Sequence, residues 1–156
     1  MASRSCYDQA VALLAGRPHF RRQLDEKLTR RGYPREEIDE ALGRLTEQGY
    51  LNDEQVTRQF VEQRRGGEGA RRLRSELARR GAPAEAISSA IAASLPADDR
   101  EMALAAARSL PARRRADGAA VARFLDRKGF SSHAILHALR ELGAPEPDAD
   151  SESSEV

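Results

Sequence analysis

The chain reads as all-α, built from tandem three-helix repeats. Three observations predict this. Gly32, Gly81 and Gly129 recur 49 and 48 residues apart, each preceded by two basic residues. Around them the apolar residues keep one register: Leu24, Leu73 and Val121 eight places before, Leu28, Leu77 and Leu125 four before, Ile38, Ile87 and Ile135 six after, and Leu42, Ile91 and Leu139 ten after. Self-similarity at such a period marks a repeat architecture, which presents binding surface more readily than a buried active site. Finally, no run alternates apolar and polar residues as a half-buried strand would.

Each element follows from its own pattern. Apolar residues at i, i+3, i+4 and i+7 define helices through Ile38, Ala41, Leu42 and Leu45, and through Ile135, Ala138, Leu139 and Leu142. Each repeat glycine is expected just past a helix C-terminus, where a left-handed residue closes the cap. The pairs Arg30-Arg31, Arg79-Arg80 and Arg127-Lys128 complement the carbonyl ends, and Pro34, Pro83 and Ser131 suit the next helix start. Helices are therefore expected over 5–15, 20–31, 34–48, 53–65, 69–80, 83–94, 98–109, 117–128 and 131–142. They group into repeats of about 5–48, 53–94 and 98–142 within a domain over 1–144, an elongated array of about nine helices. Residues 145–156 carry five acids and no base, and read as an acidic disordered tail.

Bulk composition narrows the function classes. One repeat of this size buries too little apolar surface to stand alone, so the three must pack together. No apolar run reaches a membrane span, no secretory leader is evident, and the single Cys6 fits a reducing compartment, so the expectation is a cytoplasmic protein and a monomer. Net charge is +1, but without the tail's five acids 26 bases face 20 acids.

The stretch Gly49-Tyr50-Leu51-Asn52-Asp53-Glu54, with Phe60 and Arg64 following, resembles the signature of the RecX family of recombinase regulators. Gly69, Arg72-Leu73, Glu76-Leu77 and Arg80-Gly81 continue it, and Arg127-Lys128-Gly129-Phe130-Ser131 with Ile135 is similar to the family's C-terminal unit. The resemblance spans about residues 7 to 142. It implies a non-enzymatic modulator of RecA. Such proteins lodge in the groove of the RecA–DNA filament and limit ATP hydrolysis, strand exchange and co-protease activity, in DNA repair, recombination and the SOS response. One departure is local: where the family shows Ser-x-x-Glu at the second helix start, this chain has Phe20 and Gln23. Phe20 cannot cap as serine does, so that helix is expected to start frayed, at a cost of about 1 kcal/mol.

The candidate contacts with the filament or with single- or double-stranded DNA are arginines: Arg64, Arg65, Arg71, Arg72 and Arg74 in one cluster, and Arg113, Arg114 and Arg115 in another. Such clusters neutralise phosphates or meet an acidic protein groove. The second cluster falls between Pro111 and Gly118, where a mobile connection is expected. Tyr50 and Phe130 could stack on bases, but an apolar residue after a helix-ending glycine usually folds back onto its helix, so both, and Phe60, are assigned to the core.

Other chemistry finds little support. His133 and His137 have a metal-compatible spacing but no third ligand, so no metal and no cofactor are expected. Gly66-Gly67-Glu68-Gly69 lacks the preceding strand of a phosphate loop and reads as a flexible joint. No catalytic motif is present, so the chain is read as no enzyme. The rival is a direct DNA binder of the helix-turn-helix type; against it, Glu36, Glu37, Asp39 and Glu40 make an acidic helix face poorly suited to the major groove.

Overall fold

A computed structural model of the protein describes residues 4–147, and within them every regular element is helical. The helices are α1 (Cys6–Gly16), α2 (Arg21–Arg30), α3 (Arg35–Glu47), α4 (Asp53–Arg64), α5 (Ala70–Arg80), α6 (Ala84–Ser94), α7 (Arg100–Arg108), α8 (Ala112–Arg115), α9 (Gly118–Arg127) and α10 (Ser132–Leu142). The all-α class and the nine expected helices are present, most ends shifted by one or two residues. The tenth, α8, has no counterpart among the expected helices. From residue 148 on, the acidic tail lies outside the described residues.

The chain forms two compact units. One runs to Gln63 and takes in Arg74–Ala93; the other takes in Arg64–Leu73 and the chain from Ser94 on. In the first, α1, α2 and α3 pack around Leu24, Leu28, Ile38, Leu42, Leu45 and Leu51. In the second, α10 packs on α7 and α9 around Leu104, Val121, Leu125, Phe130 and Leu139. All residues of the repeated register are buried except Ile135, which is half-buried. Burial of that stripe, at roughly 25 cal/mol per Å² of apolar surface, is the main stabilising term.

The repeat glycines do what the register requires. Gly32, Gly81 and Gly129 all take left-handed φ, near 84°, 97° and 82°. In each case the next residue's N–H reaches the carbonyl five places back: Tyr33 to Leu28, Ala82 to Leu77 and Phe130 to Leu125.

The start of α2 is not frayed. Phe20 is 2% exposed and serves the core. Its N–H donates to Gln23 Oε1 at 3.1 Å, and the Arg21 N–H donates to Asp53 Oδ1 at 2.8 Å. A carboxylate 32 residues away thus accepts one of the amide hydrogens that a local serine would have taken. Burial pushes the Asp53 carboxyl above its usual range, opposed by that hydrogen bond.

The stretch between Pro111 and Gly118 is not an open connection either. Arg114 and Arg115 donate their N–H groups to Pro111 O at 2.9 and 3.1 Å, closing the single turn of α8. Phe60 is half-buried rather than fully core, and the Arg80 guanidinium lies 5.0 Å from its ring centroid. Arg80 also pairs with the buried Glu76 at 2.8 Å.

Candidate binding surface

Two of the expected contact arginines are engaged inside the second unit. Arg71 Nη2 donates to Asp126 O at 2.6 Å and pairs with Asp126 Oδ1 at 2.7 Å; Arg72 Nη1 donates to Arg127 O at 2.9 Å. Alongside them the Gly69 N–H donates to Lys128 O at 2.7 Å. The first turn of α5 therefore supplies donors to three successive carbonyls at the C-terminus of α9. Those carbonyls carry the negative end of the helix dipole; Asp126 O also accepts the Gly129 N–H at 2.9 Å, and three further donors there are stabilising.

Glycine makes this approach possible. A Cβ on Gly69 would lie 2.3 Å from Gly129 O, and one on Gly129 would lie 2.4 Å from the Arg72 nitrogen. The glycine-rich stretch expected to be a flexible joint is thus, at Gly69, a fixed backbone contact. The first unit contains the same construction: Arg22 Nη2 donates to Arg79 O at 3.1 Å, and a Cβ on Gly81 would meet Arg22 Nε at 2.8 Å. Arg79 and Arg127 hold the same register position, two before the repeat glycine. Twice, then, an arginine from the first turn of one repeat's middle helix caps the middle helix of the next.

The remaining candidates divide. Arg64 pairs with Glu68 at 3.7 Å, and Glu68 also takes Arg72 Nε at 3.4 Å. Arg65 is exposed at the end of α4, and Arg74 is exposed on the part of α5 that belongs to the other unit. Arg113 and Arg114 are exposed, and their side chains make no hydrogen bond or ion pair among the described residues. Arg115 is half-buried, with Nη1 donating to Arg108 O at 2.9 Å, which fixes α8 to the end of α7.

The two clusters do not merge. α8 precedes the N-terminus of α9 and packs on it, whereas Arg71 and Arg72 sit at its C-terminus. Ten residues of α9 separate them, or about 15 Å. Between them α9 carries Arg123 and Arg127, one turn apart, both exposed and with no side-chain partner among the described residues. A run of adjacent bases singles out Arg127, beside Lys128, but not Arg123. The signal for the two together is the i, i+4 spacing on one helix face.

Tyr50 corrects an expectation. It is 70% exposed, while Phe130 is 1% exposed as expected. Past Gly49, both Tyr50 and Leu51 direct their N–H groups to Leu45 O, and Leu51 takes the buried place that Tyr50 was assigned. Tyr50 instead lines an open groove of about 600 Å³ with Tyr7, Val11, Leu14, His19 and Val56.

His137 Nε2 lies 3.6 Å from Glu101 Oε1, and no group of three possible ligands for a metal ion occurs among the described residues. None of the described helices is long and apolar enough to cross a membrane.

Comparison with known proteins matches residues 6–45 to the family model for the first three-helix domain of RecX, and 52–91 to that for the second. The chain is 34% identical over 142 residues to Regulatory protein RecX of Vibrio vulnificus, covering 88% of this chain and 92% of that one. It is 40% identical over 131 residues to Regulatory protein RecX of Thermus thermophilus, covering 84% and 87%. The crystal structure of RecX from Lactobacillus salivarius superposes with a TM-score of 0.77 at 20% identity, covering 88% of this chain and 94% of that chain, a likeness of fold.

Proposed function

The chain belongs to the RecX family of regulatory proteins, and on that premise we propose that it is a non-enzymatic modulator of RecA, acting on the RecA–DNA filament. It binds in the filament groove as a monomer in the cytoplasm and limits ATP hydrolysis, strand exchange and co-protease activity. The observation that carries the reading to particular residues is the set of arginines the fold leaves unused. Arg113 and Arg114 on α8, with Arg123 and Arg127 along α9, hold positive charge in water with no side-chain partner among the described residues. Such charge is available to an acidic protein groove or to phosphates, and makes association faster and salt-sensitive.

The mechanism proposed is steric and electrostatic. Arg113 and Arg114 contribute contacts, while Arg71 and Arg72 hold the first turn of α5 on α9 and act by positioning. The exposed helix faces then stand where a RecA protomer would add or change conformation. The test is a titration of RecA ATP hydrolysis on single-stranded DNA. Inhibition well below one molecule per RecA protomer is expected. Inhibition only at amounts that coat the DNA would transfer the reading to a plain nucleic-acid binder.

A further inference from the structure

We propose that the C-terminus of α2 is a docking site for a helix of a partner protein that presents an arginine in its first turn. Such a site takes a cation, where the α8 and α9 arginines take an anion, so it is independent of the contacts assigned to them.

The carbonyl two places before each repeat glycine has no donor in its own stretch of chain. Four residues beyond Arg30 and Arg79 stand Pro34 and Pro83, which have no N–H. Four beyond Arg127 stands Ser131, whose N–H goes to Asp99 Oδ2 at 2.8 Å. The N–H three places on is spent in each repeat on a leucine carbonyl: Tyr33 on Leu28, Ala82 on Leu77 and Phe130 on Leu125. In two repeats an arginine fills the gap. Arg22 reaches Arg79 O within the first unit, and Arg72 reaches Arg127 O within the second. The same arginines lie over the repeat glycines: a Cβ on Gly81 would be 3.0 Å from Arg22 Cβ, and one on Gly129 would be 2.5 Å from Arg72 Cβ.

At α2 that place is empty among the described residues. A Cβ on Gly32 would meet no atom within 4 Å, and no hydrogen bond reaches Arg30 O. Gly32 is exposed, whereas Gly81 is half-buried and Gly129 buried. Yet the end is built as the other two are, with φ near 84° at Gly32 and the Tyr33 N–H returned to Leu28 O at 3.3 Å. The acceptor is preformed, and the helix dipole gives it negative charge.

The two occupied ends state what fits the open one: a guanidinium, whose fan of donors reaches the carbonyl past a glycine. Basic neighbours do not exclude it, because Arg79-Arg80 and Arg127-Lys128 flank the occupied ends as Arg30-Arg31 flank this one. A second copy of the chain does not continue the series. The middle helix of the third repeat opens Gly118-Ala119-Ala120, with no arginine, and Pro145 O would lie 1.7 Å from a Cβ on Gly118. The occupant is therefore a different protein.

The experiment uses the full chain and, as probe, a lactam-bridged helical peptide with the sequence of residues 69–80, which already carries cap-forming arginines in its first turn. The bridge is needed because so short a helix is marginal in water. Backbone amide resonances are followed as the peptide is added. Those of residues 29–33 should shift saturably. A peptide with citrulline in place of its first two arginines should bind about tenfold more weakly, the worth of one charged hydrogen bond. Gly32→Asn keeps the left-handed helix end but puts a side chain where the incoming arginine must lie, so it should abolish the shifts and leave the helical signal intact. Absence of a saturable shift at α2 would overturn the proposal. Equal binding of the citrulline peptide would do the same without relying on any variant of the protein, as would shifts that survive Gly32→Asn. Self-association of the chain in sedimentation, lost in Gly32→Asn, would give the site to a second copy and also overturn it.

Discussion

Arg71-Arg72 and Arg113-Arg114 look alike in the sequence: adjacent arginines in a basic stretch. In the folded chain they do opposite things. The first pair holds the carbonyl end of α9 and the Asp126 carboxylate. The side chains of the second pair have no partner among the described residues. The difference lies in what each helix end meets. The first turn of α5 abuts the carbonyl end of a helix, whereas α8 is a single turn that precedes the end of α9 carrying amide donors. An arginine is structural where a dipole of the right sign is within reach, and available to a partner where it is not.

Four experiments put this contrast at risk. The largest effect belongs to the backbone contact under Arg72. Gly69→Ala should cost about 3 kcal/mol, because its Cβ meets the carbonyl of Gly129 rather than a movable side chain. Thermal unfolding should fall by roughly 10 °C. A neutral result would show that the contact is not under tension.

Next comes Arg72→Ala. A charged hydrogen bond to the Arg127 carbonyl, discounted for the partial exposure of the side chain, is worth about 1 kcal/mol. Chemical denaturation should show that loss for Arg72→Ala. The same measurement on Arg113→Ala, Arg114→Ala should stay within about 0.5 kcal/mol of the unsubstituted protein. Equal losses in both would erase the distinction.

The third experiment reads function. Arg113→Ala, Arg114→Ala should raise the concentration for half-inhibition of RecA ATP hydrolysis about tenfold while leaving the helical signal unchanged. Unchanged inhibition would take α8 out of the proposed interface.

The smallest effect concerns pH and belongs to His19. Its ring is buried, with Nδ1 donating to Arg17 O at 2.9 Å and Nε2 accepting from Lys27 Nζ at 2.9 Å. Burial pulls the imidazole below its ordinary value of 6.5, with the positive charges of Lys27 and Arg17 acting the same way against the Arg17 hydrogen bond. The unfolded chain therefore takes up the proton first. Stability is intact above about 6.5 and declines as pH falls toward the folded value. His19→Gln should flatten this acid limb in denaturation measured from about pH 7 to 5. An unaltered slope would place the acid sensitivity elsewhere.

Much of the fold was legible. Gly32, Gly81 and Gly129 marked three helix ends, and the apolar register named the buried faces before any helix was placed in space. The misreadings share one cause. Tyr50, Phe20 and Gly69 were each judged by their immediate neighbours, yet Leu51 displaced Tyr50 from the core, Asp53 and Gln23 took over the cap that Phe20 lacks, and the α9 carbonyls turned a presumed hinge into a contact. The candidate surface was legible only as a pool of arginines. Which of them remain available depends on acceptors 55 residues away in sequence, as Arg71 and Arg72 demonstrate.

Local sequence was enough to say where the helices lie, where they stop and which stripe of each is buried. These depend on a 3.6-residue period and on left-handed glycine, both properties of neighbouring residues. Which polar and charged groups are spent inside the protein was settled by packing alone. A helix end offers its carbonyls or amides to whatever packs against it, and no local pattern specifies that neighbour.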